Sequence, residues 1–264
     1  MNIDPLAEQY FKTTPYAYVG NSPIVAFDPD GKKILFVNGY YNGLVGWLIG
    51  SSSGGEQYWG KGFAGAAQDF FGDYSKIGSS NFIDGSSMFG GDSSGSDRKS
   101  AGYEYAKNNY STLIEDLGED ETFKLVTHSE GSAFGAGVAE YLMLKGHDVE
   151  SIVHLSADEA DEFSTPFIGP NTFQLGYAGD WVSGNKELDN TSVFAVIDKF
   201  ESSSDKFQFA HGSTKGAGVF DELKSILKAI AKNGSSFAKI TETKDGIKID
   251  ILRYKGNRND EDDE

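Results

Sequence analysis

Short apolar runs alternate with longer stretches of helical periodicity through the middle of the chain. The runs of buried-strand type are residues 33–37, 123–126, 151–155 and 172–177. Elsewhere, apolar residues recur at the three- and four-residue steps of helices that bury one face. These predicted helices cover residues 63–71, 100–117, 132–144 and 219–231. Strands that alternate with helices favour an α/β fold, with a mostly parallel sheet and helices on both faces.

The two ends of the chain lack this alternation. Residues 1–32 hold four of the six prolines and no useful periodicity, so we expect an extended strip that packs on another surface. Residues 236–256 carry two short apolar runs around Lys244-Asp245-Gly246, which predict a C-terminal β-hairpin. Residues 257–264 predict a solvated acidic tail. The main domain is therefore expected to span residues 33–235.

Composition limits the partners and the chemistry. With 264 residues, 38% of them hydrophobic, the chain is long enough for one sizeable packed domain. The net charge of −17 argues against nucleic acid as a partner and against electrostatic docking on an anionic bilayer. The absence of cysteine excludes disulfides, thiol nucleophiles and Cys-ligated metals. No motif predicts a cofactor, and the acidic run 158–162 has no persuasive metal-ligand spacing.

Residues 127–133, THSEGSA, carry the strongest chemical signal. They join a predicted strand to a predicted helix, which is the setting of a nucleophile elbow with the pattern G-x-S-x-G. Such a turn lifts the hydroxyl of Ser129 above the sheet and directs the backbone N–H of Glu130 at a developing oxyanion. Gly131 fits the pattern, whereas Thr127 stands in place of the first glycine. We predict Ser129 as the nucleophile.

A serine nucleophile needs a general base, and the chain has four histidines. His211 follows a short predicted strand at residues 207–210 and precedes the last helix. Hydrolases of this architecture place their base there, on a loop after the last strands, so His211 is the predicted base. His128 is expected to pack beside the elbow. His147 is expected in an exposed loop and His154 in the core.

The acid of a triad should lie between Ser129 and His211 in the chain, at the end of a strand. Asp180 fits, because it follows an apolar strand and a glycine turn. Asp158, Asp161 and Asp189 are the rival acids.

A second oxyanion donor is expected in the loop after the first strand. Residues 37–40, VNGY, occupy that place, and the N–H of Gly39 or of Tyr40 is the candidate. An ordinary turn would fit the same residues.

Two family resemblances add to this interpretation. The elbow HSEGSA, with the acid in the DWV element at 180–182, resembles the class 3 (triacylglycerol) lipases, which implies an α/β-hydrolase domain acting on lipid esters. The string DPLAEQY…TTPYAYVGNSPIVAFDPDGK is similar to the end of the conserved core of Rhs/YD-repeat proteins. In that family the repeats form a large β-cage, and a toxin or effector domain often follows the DPxG signature. The resemblance implies an effector domain from Lys33 onward, with the cage and an immunity protein as partners.

The location of the protein is an expectation from the same features. The first thirty residues have no apolar signal-peptide core, and the most apolar stretch, residues 43–50, is too short to span a bilayer. On the Rhs resemblance we expect delivery out of the cell by a secretion machine, as part of an Rhs protein. Without that context a cytoplasmic protein is expected.

The sequence therefore predicts a serine hydrolase of acyl esters, with a lipid or phospholipid as the first substrate class. A peptide or a small ester would use the same triad. The alternative is a catalytically silent α/β-hydrolase-like module that binds or delivers on an Rhs scaffold, which Thr127 and Glu130 favour. The apolar stretches 44–49 and 63–71 would line an acyl pocket, form a lid or belong to the core.

Overall fold

The structure is a computed structural model of the chain. It describes residues 33–41, 54–86, 93–115, 117–118, 121–166, 169–198, 210–233, 237–243 and 246–252. The predicted N-terminal strip, the apolar stretch 44–49 and the acidic tail lie outside these residues.

A single sheet of eight strands organises the described part of the chain, in the order β2-β1-β3-β4-β5-β6-β7-β8. The strands are β1 (Lys33–Asn38), β2 (Phe82–Asp84), β3 (Phe123–His128), β4 (Val149–Leu155), β5 (Asn171–Tyr177), β6 (Val193–Asp198), β7 (Phe237–Thr243) and β8 (Gly246–Leu252). All neighbours pair in parallel except β7 and β8, which form an antiparallel hairpin that continues the sheet. The predicted α/β fold with a mostly parallel sheet is confirmed.

The strand order reverses direction between β1 and β3. The chain runs from β1 outward to β2, and then crosses back to place β3 on the other side of β1. In open α/β sheets such a reversal leaves a gap outside the carboxyl ends of the two strands, and ligands bind there. Gly39 follows β1 and Ser129 follows β3 at this point.

Helices cover both faces of the sheet because side chains alternate along each strand. The helices are α1 (Phe63–Phe71), α2 (Gly95–Asn108), α3 (Tyr110–Leu113), α4 (Gly131–Leu144), α5 (Ala210–Ser213) and α6 (Val219–Asn233). In β1, Ile34 and Phe36 pack with α1 and α6, whereas Leu35 and Val37 pack with α2 and α4. The aromatic residues of α1 are thus part of the core and do not form a lid.

Two glycines bring α2 and α4 into close contact. A Cβ at Gly102 would lie 1.9 Å from the carbonyl oxygen of Phe134, and a Cβ at Gly137 would lie 1.9 Å from that of Lys99. Neither position can hold a larger residue without separating the helices. This contact fixes the first turn of α2 beside the start of α4, which is where the elbow lies.

The structure adds two strands to those that the pattern predicts. Strand β2 has three residues inside a stretch rich in Gly and Ser, and the side-chain amide of Asn81 secures its start by donating to the carbonyl of Ile34 at 2.8 Å. Strand β6 has six residues and lies between β5 and β7. Helix α2 begins at Gly95, five residues before the predicted start. Within the described ranges, no helix is long and apolar enough to cross a membrane.

Candidate active site

Ser129 occupies a tight turn between β3 and α4. Its φ angle is 57°, in the left-handed region that costs a residue with a Cβ about 1 kcal/mol or more. The turn is held by backbone hydrogen bonds from Ser129 N to Leu155 O at 3.0 Å and from Ser132 N to Ser129 O at 2.9 Å. A Cβ at Gly131 would lie 2.6 Å from the carbonyl oxygens of Val37 and Asn38, so only glycine fits two residues after the serine.

Thr127 is accommodated by a glycine on the helix opposite. Cγ2 of Thr127 lies 2.5 Å from the position that a Cβ of residue 135 would take, so Gly135 leaves room for the larger side chain. The hydroxyl Oγ1 donates to Ser132 Oγ at 3.1 Å. The departure from the G-x-S-x-G pattern is therefore absorbed within the elbow, and the turn keeps its geometry.

The three residues of the predicted triad form a hydrogen-bonded chain. Ser129 Oγ lies 2.8 Å from His211 Nε2, and His211 Nδ1 lies 3.0 Å from both carboxylate oxygens of Asp180. Ser129 is 1% exposed, and His211 and Asp180 are each 3% exposed. The structure thus brings together side chains from the turn after β3, the turn after β5 and the short helix α5, which holds His211.

Asp180 is held as a carboxylate. Burial raises its pKa, but the hydrogen bond and charge of His211 and the bonds from Ser183 outweigh this and lower the pKa to about 2. The N–H groups of Val182 and Ser183 both donate to Oδ1 at 3.1 Å. An ionised carboxylate only accepts, so Nδ1 of His211 carries the proton and Nε2 is left to accept from the Ser129 hydroxyl.

His128 supports the backbone of His211 through a hydrogen bond. Its Nε2 lies 2.9 Å from the carbonyl oxygen of His211, and its Nδ1 lies 2.6 Å from the hydroxyl of Tyr58. A carbonyl only accepts, so Nε2 carries the proton and Nδ1 accepts from Tyr58. Burial, followed by the charges of His211 and Lys215, holds the pKa of His128 well below its usual value. His128 is thus a neutral support and not a second base.

The loop after β1 lies directly against the elbow. A Cβ at Gly39 would lie 2.7 Å from Cβ of Ser129 and 3.1 Å from the backbone nitrogen of Glu130. Fully buried Asn38 holds this loop, because its Nδ2 donates to Gly39 O at 3.0 Å and to Asp84 Oδ1 at 2.9 Å. Its Oδ1 accepts from Gly55 N at 2.9 Å. The three residues predicted to supply oxyanion donors, Gly39, Tyr40 and Glu130, therefore lie in adjoining segments.

The other histidines have different surroundings. His154 is fully buried on β4, with Nδ1 at 2.8 Å from Thr127 Oγ1, and burial lowers its pKa to about 3. His147 is half-buried, not exposed as expected, because its Nε2 lies 2.7 Å from the hydroxyl of Tyr110. Neither ring has a hydrogen bond to Ser129 among the described residues.

The rival acids do not contact the histidine. Asp161 is exposed and pairs with Lys186, and Asp189 is exposed beside the bridge to Ser164. Asp158 is half-buried near the site, and burial raises its pKa while the charge of His211 lowers it. Of the four acids weighed, Asp180 alone is hydrogen-bonded to His211.

Three contacts around the site have no signal in the local sequence. Tyr58 reaches His128 from a 3-10 turn seventy residues earlier, and Nζ of Lys215 lies 4.3 Å from the centre of the Tyr58 ring. Burial lowers the pKa of Lys215 to about 8. Arg98 on helix α2 pairs with Glu130, the residue after Ser129. These residues are brought to the site by the packing of the helices and could not be found by motif.

No group of His, Asp and Glu side chains in the described ranges is arranged to hold a metal ion. A surface cavity of about 540 Å³ lies between α2, α4 and the loop after β4, with Lys99, Tyr103, Glu140 and Phe163 among its lining residues. None of the triad residues lines it.

No protein-family model and no curated protein matches this sequence. Among solved structures, the chain is similar to the phospholipase PlaB from Legionella pneumophila, determined in complex with thio-NAD. The two are 11% identical, the match covers 84% of this chain and 67% of that chain, and the TM-score is 0.37. So distant a likeness adds no argument about the site, whose interpretation rests on its own geometry.

Proposed function

We propose that the protein is a serine hydrolase that cleaves carboxylic esters through an acyl-enzyme. The observation that carries this proposal is the chain of hydrogen bonds from Ser129 Oγ through His211 to Asp180, at 2.8 and 3.0 Å. Nucleophile, base and orienting acid within this reach are the requirement for activating a serine hydroxyl. The positive φ of Ser129 supports the same role, because backbone strain of this kind concentrates at functional sites.

The mechanism has two half-reactions. Ser129 Oγ attacks the ester carbonyl while Nε2 of His211 takes the hydroxyl proton, and the proton then passes to the leaving alcohol as the C–O bond breaks. Water attacks the acyl-enzyme in the same way, with His211 again as base, and releases the acid. Asp180, ionised at neutral pH, stabilises the imidazolium formed in each half-reaction.

The oxyanion would be held by the N–H groups of Glu130 and Tyr40. Glu130 is the N-cap residue of α4, so its N–H also benefits from the helix N-terminus. The peptide between Gly39 and Tyr40 is planar, so fixing its carbonyl also fixes its N–H on the opposite side. Asn38 holds that carbonyl at 3.0 Å, which favours Tyr40 over Gly39 as the second donor.

The substrate class follows from the resemblance to lipases and the chemistry of the triad. An acyl ester, with lipid or phospholipid first, is our proposal. The role as an effector in an Rhs protein, with an immunity partner, is proposed from the N-terminal motif. The lipid substrate and the effector role are each proposed by analogy with a family, and they are tested separately.

The first experiment compares wild type with Ser129→Ala on nitrophenyl esters of increasing chain length and on phospholipid vesicles. A fluorophosphonate probe, which labels activated serines, is applied to the same proteins. We expect hydrolysis and labelling in wild type and neither in Ser129→Ala. The preference for chain length then separates lipase from esterase.

Ser156→Ala is the matched control for labelling. Ser156 is 1% exposed, has a φ of 46° and directly follows the neighbouring strand β4, but its Oγ accepts from Thr214 Oγ1 at 3.0 Å, whereas His211 Nε2 is paired with Ser129. We expect this variant to be labelled like wild type. A folded wild-type protein with no Ser129-dependent labelling would exclude the hydrolase and favour the silent binding module.

A further inference from the structure

Arg98 joins the elbow to the loop after β4. It lies on α2, is 3% exposed, and its guanidinium contacts the carboxylates of Glu130 and Glu159. The contact from Nη2 to Glu130 Oε1 is 2.9 Å, and Nη1 donates to Glu159 Oε2. The arginine is thus the cation shared by two acidic residues that flank the carboxyl ends of β3 and β4.

The position of this arginine is fixed by the packing of its helix. The contact at Gly102 and Gly137 holds α2 close to α4, and Ser94 caps α2 by accepting from Asp97 N at 3.2 Å. Gly95 N donates to Glu162 Oε2 at 2.9 Å, which joins the start of α2 to the loop after β4. Burying a guanidinium costs several kcal/mol unless carboxylates offset the cost. The ion pairs with Glu130 and Glu159, and not water, therefore stabilise the buried charge of Arg98.

Glu130 presents an electrostatic problem for the proposed reaction. Its N–H is to stabilise the oxyanion, yet its own side chain is a carboxylate one residue after the nucleophile. Burial raises the pKa of Glu130, the charge of Arg98 lowers it, and the charges of Asp158 and Glu159 raise it. Negative charge near a developing oxyanion opposes the reaction, and more strongly in a buried site than in water.

We propose that Arg98 is a positioning residue that holds the Glu130 carboxylate against α2 and offsets its charge, so that the Glu130 N–H can stabilise the oxyanion. This inference rests on the proposed hydrolase function. Arg98 acts through Glu130 and does not itself touch the reacting atoms. It also fixes the loop after β4 through Glu159, which keeps the two acidic residues on one side of the elbow.

The test compares Arg98→Met, Glu130→Gln and the double variant by their kinetics on a nitrophenyl ester. We expect Arg98→Met to lower kcat about 10- to 100-fold with KM changed less than about twofold, because an oxyanion interaction acts in the transition state. Glu130→Gln keeps the backbone N–H and removes only the carboxylate, so its kcat is the reference for the double variant. The double variant should match the kcat of Glu130→Gln and so recover most of the loss seen in Arg98→Met, because the uncompensated carboxylate is gone.

The pH profile separates electrostatics from a structural effect. The charged groups facing Glu130 are Arg98, Asp158, Glu159 and His211. Without Arg98 the pKa of Glu130 rises further, so Glu130 becomes ionised only at higher pH. The ionised carboxylate destabilises the oxyanion, whereas the protonated side chain does not. The ratio of wild-type to Arg98→Met kcat should therefore increase with pH, and the increase should vanish in the double variant.

Lys99→Met is the control. Lys99 is the next residue on α2, but its Nζ pairs with Glu140 at the surface, at 2.9 Å, so this change should leave kcat as in wild type. If Arg98→Met does not fold by circular dichroism, Arg98→Lys takes its place, since lysine keeps the charge but cannot bridge two carboxylates. The loss should then be smaller and again be recovered by Glu130→Gln.

The outcomes distinguish this inference from the proposed function. A folded Arg98→Met with wild-type kcat, or a loss that Glu130→Gln does not recover at any pH, would overturn the positioning role. Ser129-dependent labelling of wild type would still support the hydrolase in either case. A wild type without labelling or ester hydrolysis would overturn both.

Discussion

Buried charges lie at both ends of the sheet, and the two ends differ in what those charges can do. At the amino end, Lys124 of β3 is fully buried and pairs with Glu150 at 3.1 Å and with Asp73 at 3.8 Å. At the carboxyl end of the same strand, His211 lies between Ser129 and Asp180. The first cluster is a cation between two anions, whereas the second has an imidazole whose Nε2 is placed to accept the proton of the Ser129 hydroxyl.

The comparison teaches that burial of charge does not by itself identify a site. Both clusters are almost fully removed from solvent, and both use side chains from separate elements. Among the described residues of the two clusters, the carboxyl end alone has a serine with positive φ, a backbone N–H at the start of a helix and a close approach from a glycine loop. In the proposed reaction these features would stabilise the charge that develops on the substrate.

The largest expected effect is at the carboxyl end, with Asp180→Asn. The amide would no longer hold His211 in the tautomer with a free Nε2, so we expect kcat to fall about 10³- to 10⁴-fold with the fold intact. Kinetics on the best ester and circular dichroism check this. Asp161→Asn, at an exposed acid paired with Lys186, should keep its rate. A small loss in Asp180→Asn would remove Asp180 from the triad.

At the amino end, Lys124→Met should affect stability and leave the reaction alone. Two buried carboxylates would lose their cation, which costs about 3–5 kcal/mol in the free energy of unfolding. Urea denaturation measures the loss, and kcat per folded molecule should match wild type. Lys107→Met is the control, because its pair with Glu104 is exposed. A lower kcat in folded Lys124→Met would mean that the two ends are coupled.

Gly39→Ala tests whether the loop after β1 belongs to the reaction. The new Cβ would lie 2.7 Å from Cβ of Ser129, so the loop must move and its oxyanion donor with it. We expect kcat to fall about 100-fold, the loss typical for one oxyanion donor. Gly65→Ala, at a position on α1 with open space, should behave as wild type. Equal rates in both variants would exclude the loop from the oxyanion hole.

The smallest effect is the pH dependence of stability at His154. The pKa of His154 is about 3 in the folded protein and near 6.5 in the unfolded chain. Below pH 6.5 the unfolded chain therefore binds one more proton than the folded protein, and the free energy of unfolding decreases as the pH is lowered. The slope is about 1.4 kcal/mol per pH unit between these pKa values. Denaturation of wild type and of His154→Asn at pH 7 and at pH 5 isolates the contribution of His154 to the pH dependence of the free energy of unfolding. Parallel curves for the two proteins would contradict it.

The predicted triad residues could be located in the sequence because Ser129 and Asp180 follow strands with a clear apolar pattern and His211 precedes the last helix. All four candidate acids lie between Ser129 and His211, so the hydrogen bonds to His211, and not chain order, single out Asp180. Strands β2 and β6 could not be predicted in this way. Strand β2 is a three-residue edge strand, held by Asn81 and its pairing to β1 more than by its own residues.

The supporting contacts could not be predicted because they join segments far apart in sequence. Tyr58 lies in a glycine-rich stretch, and its contact to His128 exists only after α1 packs on the sheet. Arg98 has the sequence pattern of an exposed helical residue, yet the close contact of α2 with α4 buries it. The fit between Thr127 and Gly135 is likewise a property of three-dimensional packing.

The φ angle of Ser129 has a consequence for how this chain can change over time. At 57° the backbone favours glycine, so stability alone would select a residue without a side chain there. The proposed chemistry requires a hydroxyl at the same position. A lineage that no longer needed the proposed reaction would therefore gain stability by substituting Ser129 with glycine, whereas serine kept at this position across related sequences would indicate selection for that reaction.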